Sequence, residues 1–328
     1  MTLSAALPAA RGPLSEAVIE ALGRDEHGDV PELPETAAAD PFGEDLQLAL
    51  HLCYELHYQG FDGVDPEWEW DPELLRLRAA MEREFLAALR ARTAGGDNVE
   101  DALAPLLVEP VNGSGISHHL AAEGTWDQMR EYFVLRSIYH HKEADPHAWV
   151  IPRLRGRAKA ALVAVEFDEY GGGRPEAVHA QLYADLLDGA GLDSGYLHYL
   201  DHAPACMLAV VNMMSLFGLH RRLRGALAGH FAAAEITTAP SAQRLDRALH
   251  RLGADERCRY FFLEHIEADA VHEQVMRRDV IGGLLESEPE LAGDIVFGIQ
   301  ATDVVEQRFA DHVLGAWQAG GSALRRPL

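Results

Sequence analysis

The sequence predicts an all-α protein, and three observations predict it. Apolar residues recur at steps of three and four along most of the chain, almost no stretch alternates with period two, and β-branched residues are sparse in the apolar runs.

Taken in order, residues 1–41 are rich in Ala, Pro, Gly and acids and read as a mobile N-terminal segment. Within it, 15–22 is amphipathic enough to be helical, and 29–41 has the composition of a linker. From Phe42 the helical period sets in, with Leu46, Leu50, Cys53 and Leu56 on one stripe. The turn-rich GFDGVDPEWEWDP ends that helix and opens a second over 72–91, which AGGDN terminates before a third begins near Asn98. A glycine-containing junction at 113–115 places a boundary at 122. The segment 42–122 is therefore expected to be an N-terminal helical layer used for packing or dimerisation. Helices then follow over 125–142, which Asp145-Pro146 punctuates, and over 152–170, which ends at Gly171-Gly172-Gly173. Pro175 suits the first turn of the next, 175–187. Further helices are expected at 196–217, 220–237, 241–252, 255–285 (with a break) and 288–318. These make 123–320 the main bundle and leave 321–328 as a C-terminal tail.

The formal net charge is -24, from 28 basic and 52 acidic residues. Such a surface repels nucleic acid and anionic membranes, so neither is expected as a partner. The most apolar run, 203–219, contains Pro204 and Asn212 and is too interrupted to span a bilayer. Asn212 needs a partner for its amide in such surroundings. Cys53, Cys206 and Cys258 are odd in number and far apart, which suits free thiols in a reducing compartment. No basic stretch followed by an apolar one opens the chain, so a cytoplasmic location is expected.

The densest chemistry lies in FFLEHIEADAVHEQVM. His265, Asp269 and His272 stand at i, i+4 and i+7, within roughly 60° of one another on a helix. Two imidazoles and a carboxylate on one face suit a borderline cation such as iron, manganese or zinc. The plain alternative is an exposed acidic helix, and Glu264, Glu267 and Glu273 on the other face are read as solvated. Glu235 sits in GHFAAAEITT, a small-residue stretch suited to close helix packing, so it is either at the surface or held by a buried cation. His179 shares a stripe with Leu182, Tyr183 and Leu186, as a hydrogen-bonded core residue or as a ligand. Glu169 precedes it by ten residues, about 15 Å on an unbroken helix, but the triple glycine lets the chain fold back. Glu176 is the rival, as an ExxH pair with His179 or as a plain acid in a first helical turn. Glu143, in HHKEADPHAW, ends a helix as a ligand or a solvated acid. There is no GxGxxG, P-loop, GxSxG or zinc-cysteine pattern, and Cys206 lacks the His–Asp neighbours of a nucleophile.

Four motifs in order carry a family resemblance: KEADPHAWVIPRLRGRAKAAL, DEYGGGRPEAVHAQLY, the small-residue helix ending AAAEITT, and HIEADAVH. From about 125 to 315 the chain resembles the haem-oxygenase-like diiron oxidases and oxygenases, the iron-containing redox enzymes. The resemblance implies a seven-helix bundle preceded by the N-terminal helical segment, which packs on it or joins two copies as a homodimer. It also implies two iron ions (Fe2+/Fe3+) held by Glu169, His179, Glu235, His265, Asp269 and His272. N-oxygenating members add an upstream carboxylate, and Glu143 stands in that place. Some relatives use a shorter Glu-to-His spacing, which suits Glu176. Four carboxylates then balance two dications. The same resemblance implies O2 as co-substrate, a small-molecule substrate and an external electron donor, a reductant or reductase. Glu143 favours N-oxygenation of an amine or guanidine in a small amino-acid-like metabolite. The alternatives are oxidative C–C cleavage, by decarboxylation or fragmentation, and a non-catalytic iron or haem binder.

Overall fold

The computed structural model describes residues 5–24, 36, 38–109 and 113–328, with the side chains of 267–270 excepted. The linker expected at 29–41 lies largely outside these residues. Among them the chain forms α-helices, short 3-10 turns and no strand. The expected all-α class is what the chain adopts.

An N-terminal layer comprises α1 (Pro13–Leu22), α2 (Glu44–Glu55), α3 (Pro72–Arg90) and the short α4 (Val99–Leu103). Asp71 caps α3 by accepting from Leu74 N at 2.8 Å, and Asn98 caps α4. The main bundle follows with α5 (Ile116–Ala122), α6 (Trp126–His140), α7 (Asp145–Ala148), α8 (Gly156–Glu169) and α9 (His179–Gly189). It continues with α10 (Ala205–Leu219), α11 (Arg224–Leu252) and α12 (Glu256–Val275). A π-helical turn, Met276–Ile281, leads into α13 (Gly282–Ser287), and α14 (Ala292–Gln318) closes the bundle. Thr125 and Gln128 form a reciprocal capping box that starts α6.

The axis of the bundle is α11, which packs along α14 and α12. It crosses α14 at Gly229 and Gly298, where a Cβ on either glycine would collide with the carbonyl of Ile295 or Ala226. The small-residue run therefore brings two backbones into contact. The helices expected at 220–237 and 241–252 are one continuous helix that passes through Pro240. The hydroxyls of Thr237 and Thr238 donate to the carbonyls of Ala233 and Ala234 at 2.9 and 2.8 Å, within the turn that proline weakens. Ile236, Ala242 and Leu245 stay buried on both sides of it, and this burial offsets a proline cost of about 3 kcal/mol.

Two other expectations shift. Pro175 opens only a 3-10 turn, Pro175–Ala177. Val178 is extended at φ -61, ψ 128, so α9 starts at His179. The helix expected from 196 starts at Ala205, because Pro204, which cannot donate a helical hydrogen bond, sits extended at its N-cap.

One apolar core runs through the described chain, with buried members from Leu14 to Ala323. α10 is buried along nearly its whole length, and Asn212 finds its partner in α2, donating to Gln47 O and Oε1 at 2.8 Å each. The tail is tied down by Arg325 N to His202 O at 2.9 Å and by Arg326 to Asp201 at 2.8 Å. Among the described residues no helix is long and apolar enough to cross a membrane.

Candidate metal centre

Five short stretches converge inside the bundle. The turn after α6 carries Glu143, and Glu169 is the last residue of α8. Gly171, Gly172 and Gly173 then turn the chain with φ of 76°, 61° and 84°, values that only glycine adopts without strain. The reversal brings His179, the first residue of α9, to face Glu169, with Nδ1 2.7 Å from Oε2. Glu235 comes from α11, and α12 presents His265 and His272 two turns apart.

These six side chains form two groups, Glu143 with His179 and His265, and Glu169 with Glu235 and His272. In each group the potential ligand atoms lie within 4.8 Å of one another. All six are buried, between 2 % and 8 % exposed. Glu143 Oε2 is 3.5 Å from His265 Nε2 and 3.8 Å from His179 Nδ1. His272 Nδ1 is 3.4 Å from Glu235 Oε2 and 3.5 Å from Glu169 Oε1. Glu169 therefore touches both groups, one oxygen on His179 and the other on His272. Asp269 lies on α12 between the two histidines, and its side chain is outside the described residues. Glu176 is exposed in the 3-10 turn before α9 and takes no part in either group.

Each imidazole on α12 is oriented from behind. His265 Nδ1 donates to Phe261 O at 2.7 Å, which turns Nε2 toward Glu143. His272 Nε2 meets Asp168 Oδ2 at 3.1 Å, which turns Nδ1 inward. Glu264 and Glu273 do neither: Glu264 is half-buried and Glu273 pairs with Arg277. The side chain of Glu267 lies outside the described residues.

The local charges are under tension. Burial opposes ionisation of Glu143, yet His140 and His265 beside it hold its carboxyl well below the usual range. Burial raises Glu235, and His272 only partly offsets that. His272 itself is lifted to about 9, because Glu235, Asp168 and Glu169 outweigh the burial that disfavours its cation. Glu143 Oε2, His179 Nδ1 and Glu235 Oε2 are buried and make no well-directed hydrogen bond. Buried polar atoms rarely stay so, and imidazole nitrogens facing carboxylate oxygens are the donor set of iron, manganese or zinc. The residues fit a pair of cations.

Three neighbours escape sequence reasoning. His140 holds Glu143 Oε1 at 2.9 Å, and its i, i+3 spacing in YHHKE was the available signal. Asp168, next to Glu169, orients His272. Glu166 is 2 % exposed and lies one turn before Glu169, and neither of its oxygens has a hydrogen bond. Burial, with Glu169 and Glu235 nearby, pushes its carboxyl well above the usual range. By contrast Cys206 offers no thiolate, since burial raises its thiol to about 12.

The family model described as an iron-containing redox enzyme matches residues 130–306, more than half of the chain and all six of these side chains. No curated protein matches the chain.

Proposed function

The chain belongs to the iron-containing redox enzyme family, and from that premise we propose that it is a non-haem diiron oxygenase. Glu143, His179 and His265 would hold one iron, and Glu169, Glu235 and His272 the other. From its place in the His265–Asp269–His272 row alone, Asp269 is proposed as a further ligand. The observation that carries this reading is Glu169, whose two oxygens reach a histidine of each group at 2.7 and 3.5 Å. A lone site would not need that span.

When bound, two ferrous ions supply the electrons with which O2 is reduced. The protein does the rest. Phe261 O and Asp168 fix the imidazoles, and the buried shell excludes bulk water. The reading also calls for an external electron donor. The substrate of this reading is an amine or guanidine nitrogen in a small amino-acid-like metabolite. Support comes from Glu143, which the structure turns inward rather than leaving solvated.

The test is an anaerobic Fe(II) titration followed by exposure to O2 with candidate amines. The expected outcome is two irons per chain, their oxidation with consumption of O2, and oxygen incorporated at nitrogen. One iron or none would sink the diiron reading, and a product cleaved at carbon would move the chain to the C–C-cleaving type.

A further inference from the structure

A continuous row of aromatic rings leads from the metal centre to an open cavity. His265 meets Phe261 with ring centroids 4.3 Å apart, and Phe261 meets Tyr183 at 4.9 Å. His140, which holds Glu143, also touches Tyr183, at 4.6 Å. From Tyr183 the row passes to His141 at 6.0 Å and on to Tyr196 at 6.1 Å, where the rings lie 28° from parallel. Tyr183 is 1 % exposed. Tyr196 is half-buried and lines a cavity of about 1100 Å3 between α9, the loop after it and residues 5–8.

The tyrosines near this row differ in where a hydroxyl proton could go. Tyr183 Oη donates to Phe133 O at 2.8 Å, and a backbone carbonyl does not keep a proton near neutral pH. Tyr139, with its ring 4.6 Å from His140, makes no hydrogen bond to a carboxylate among the described residues. Tyr196 Oη donates to Glu55 Oε1 at 2.7 Å, and the other Glu55 oxygen pairs with Lys142. Glu55 is fully buried, so a proton passed to it stays out of bulk water. A phenol gives up an electron readily only when its proton leaves with it, and a positioned carboxylate is the group that takes one. Tyr196 is the ring in the row with such a partner.

We propose that Tyr196 is a redox-active residue that gives one electron along the ring row to the oxidised metal centre when no substrate is bound. The oxidant is O2, reduced at that centre. The O–H bond of Tyr196 breaks, an O–H bond forms on Glu55, and the electron goes to the centre, so Tyr196 is left as a neutral phenoxyl radical. A phenol or aromatic-amine donor in the cavity then returns one electron, and Glu55 returns the proton. Asp188, Asp193 and Asp201 line the cavity and neither Lys nor Arg does, which favours a neutral or cationic donor over an anionic one. The inference rests on the diiron reading for its oxidant and adds a role for residues outside the ligand set.

The experiment uses the full-length, iron-loaded protein, mixed with O2 without substrate, freeze-quenched and read by electron paramagnetic resonance. The expected result is a tyrosyl signal whose hyperfine pattern changes when the protein carries ring-deuterated tyrosine. Tyr196→Phe should lose that signal while two irons stay bound and are oxidised. On the unaltered chain, a nitroso spin trap mapped by peptide mass spectrometry should mark Tyr196, which keeps the test decisive if the variant does not fold. N,N-Dimethyl-p-phenylenediamine should quench the signal faster than ferrocyanide, with the difference shrinking as salt is added. Ferrocyanide quenching as fast at low salt would remove the acidic cavity as the donor site. A trap adduct on Tyr139 or Tyr183 instead, or no radical from protein that binds and oxidises two irons, would overturn the proposal and leave the diiron reading intact. Protein that binds no iron would sink that reading and the proposal with it.

Discussion

Lys142 and Glu143 are neighbours in one turn, both buried, yet they enter two different polar clusters. The ammonium of Lys142 pairs with Glu55 of α2 and lies 4.6 Å from the Tyr58 ring centroid. Glu55 also accepts from Tyr196 Oη at 2.7 Å and Gln59 N at 3.3 Å. One anion and one cation meet there, and every oxygen of Glu55 is used. The cluster that Glu143 enters gathers three carboxylates and three imidazoles. The first is closed by the chain itself and fastens the N-terminal layer to the turn that carries Glu143. The second is left with Glu143 Oε2, His179 Nδ1 and Glu235 Oε2 buried without a well-directed hydrogen bond. Burial and charge alone would not separate the two. Satisfaction of the hydrogen bonds does.

The sharpest way to break this contrast is Lys142→Met. It leaves Glu55 as an unpaired buried anion and should cost about 3–5 kcal/mol of stability in denaturant unfolding, with two irons still bound to the folded protein. The double variant Glu55→Leu/Lys142→Met should recover most of that loss, and a fully additive double mutant would show the pair to be unlinked. Glu169→Ala should do the opposite. Stability of the metal-free chain should hold or rise, while affinity for both irons falls on the order of a hundredfold or more; Glu176→Ala in the same titration should leave it unchanged. Glu143→Ala should weaken one iron and spare the other, so a titration that loses both in concert would dissolve the distinction between the two groups. The smallest effect is the pH dependence. In the metal-free site His272 is protonated below about 9, and its Nδ1 must shed that proton to bind iron. Apparent affinity should rise about tenfold per pH unit toward pH 9 and then flatten, whereas a flat profile between pH 6 and 8 would remove His272 from the ligand set.

Some of this was legible residue by residue. The i, i+4, i+7 spacing of His265, Asp269 and His272 put them on one helical face before any tertiary information, because helical geometry is local. The triple glycine announced a reversal between Glu169 and His179, because positive φ is a property of single residues. Pro240 misled for the same reason. Its local preference is to end a helix, and contacts with α12, α14 and α5 outvoted it. Glu166, His140 and the Lys142–Glu55 pair were not legible, since an acid or a lysine on a helix looks solvated until its neighbours are known.

What the sequence by itself determined is therefore whatever depends on neighbours a turn apart: the all-α class, the helix caps at Asp71 and Thr125, and the histidine row on α12. The tertiary structure alone decided that Glu169 and not Glu176 faces His179, because Val178 is extended and the glycine turn folds back on it. It alone decided that Glu143 and Lys142 part company. Burial and partnership arise between segments far apart in the chain, and no local period encodes them.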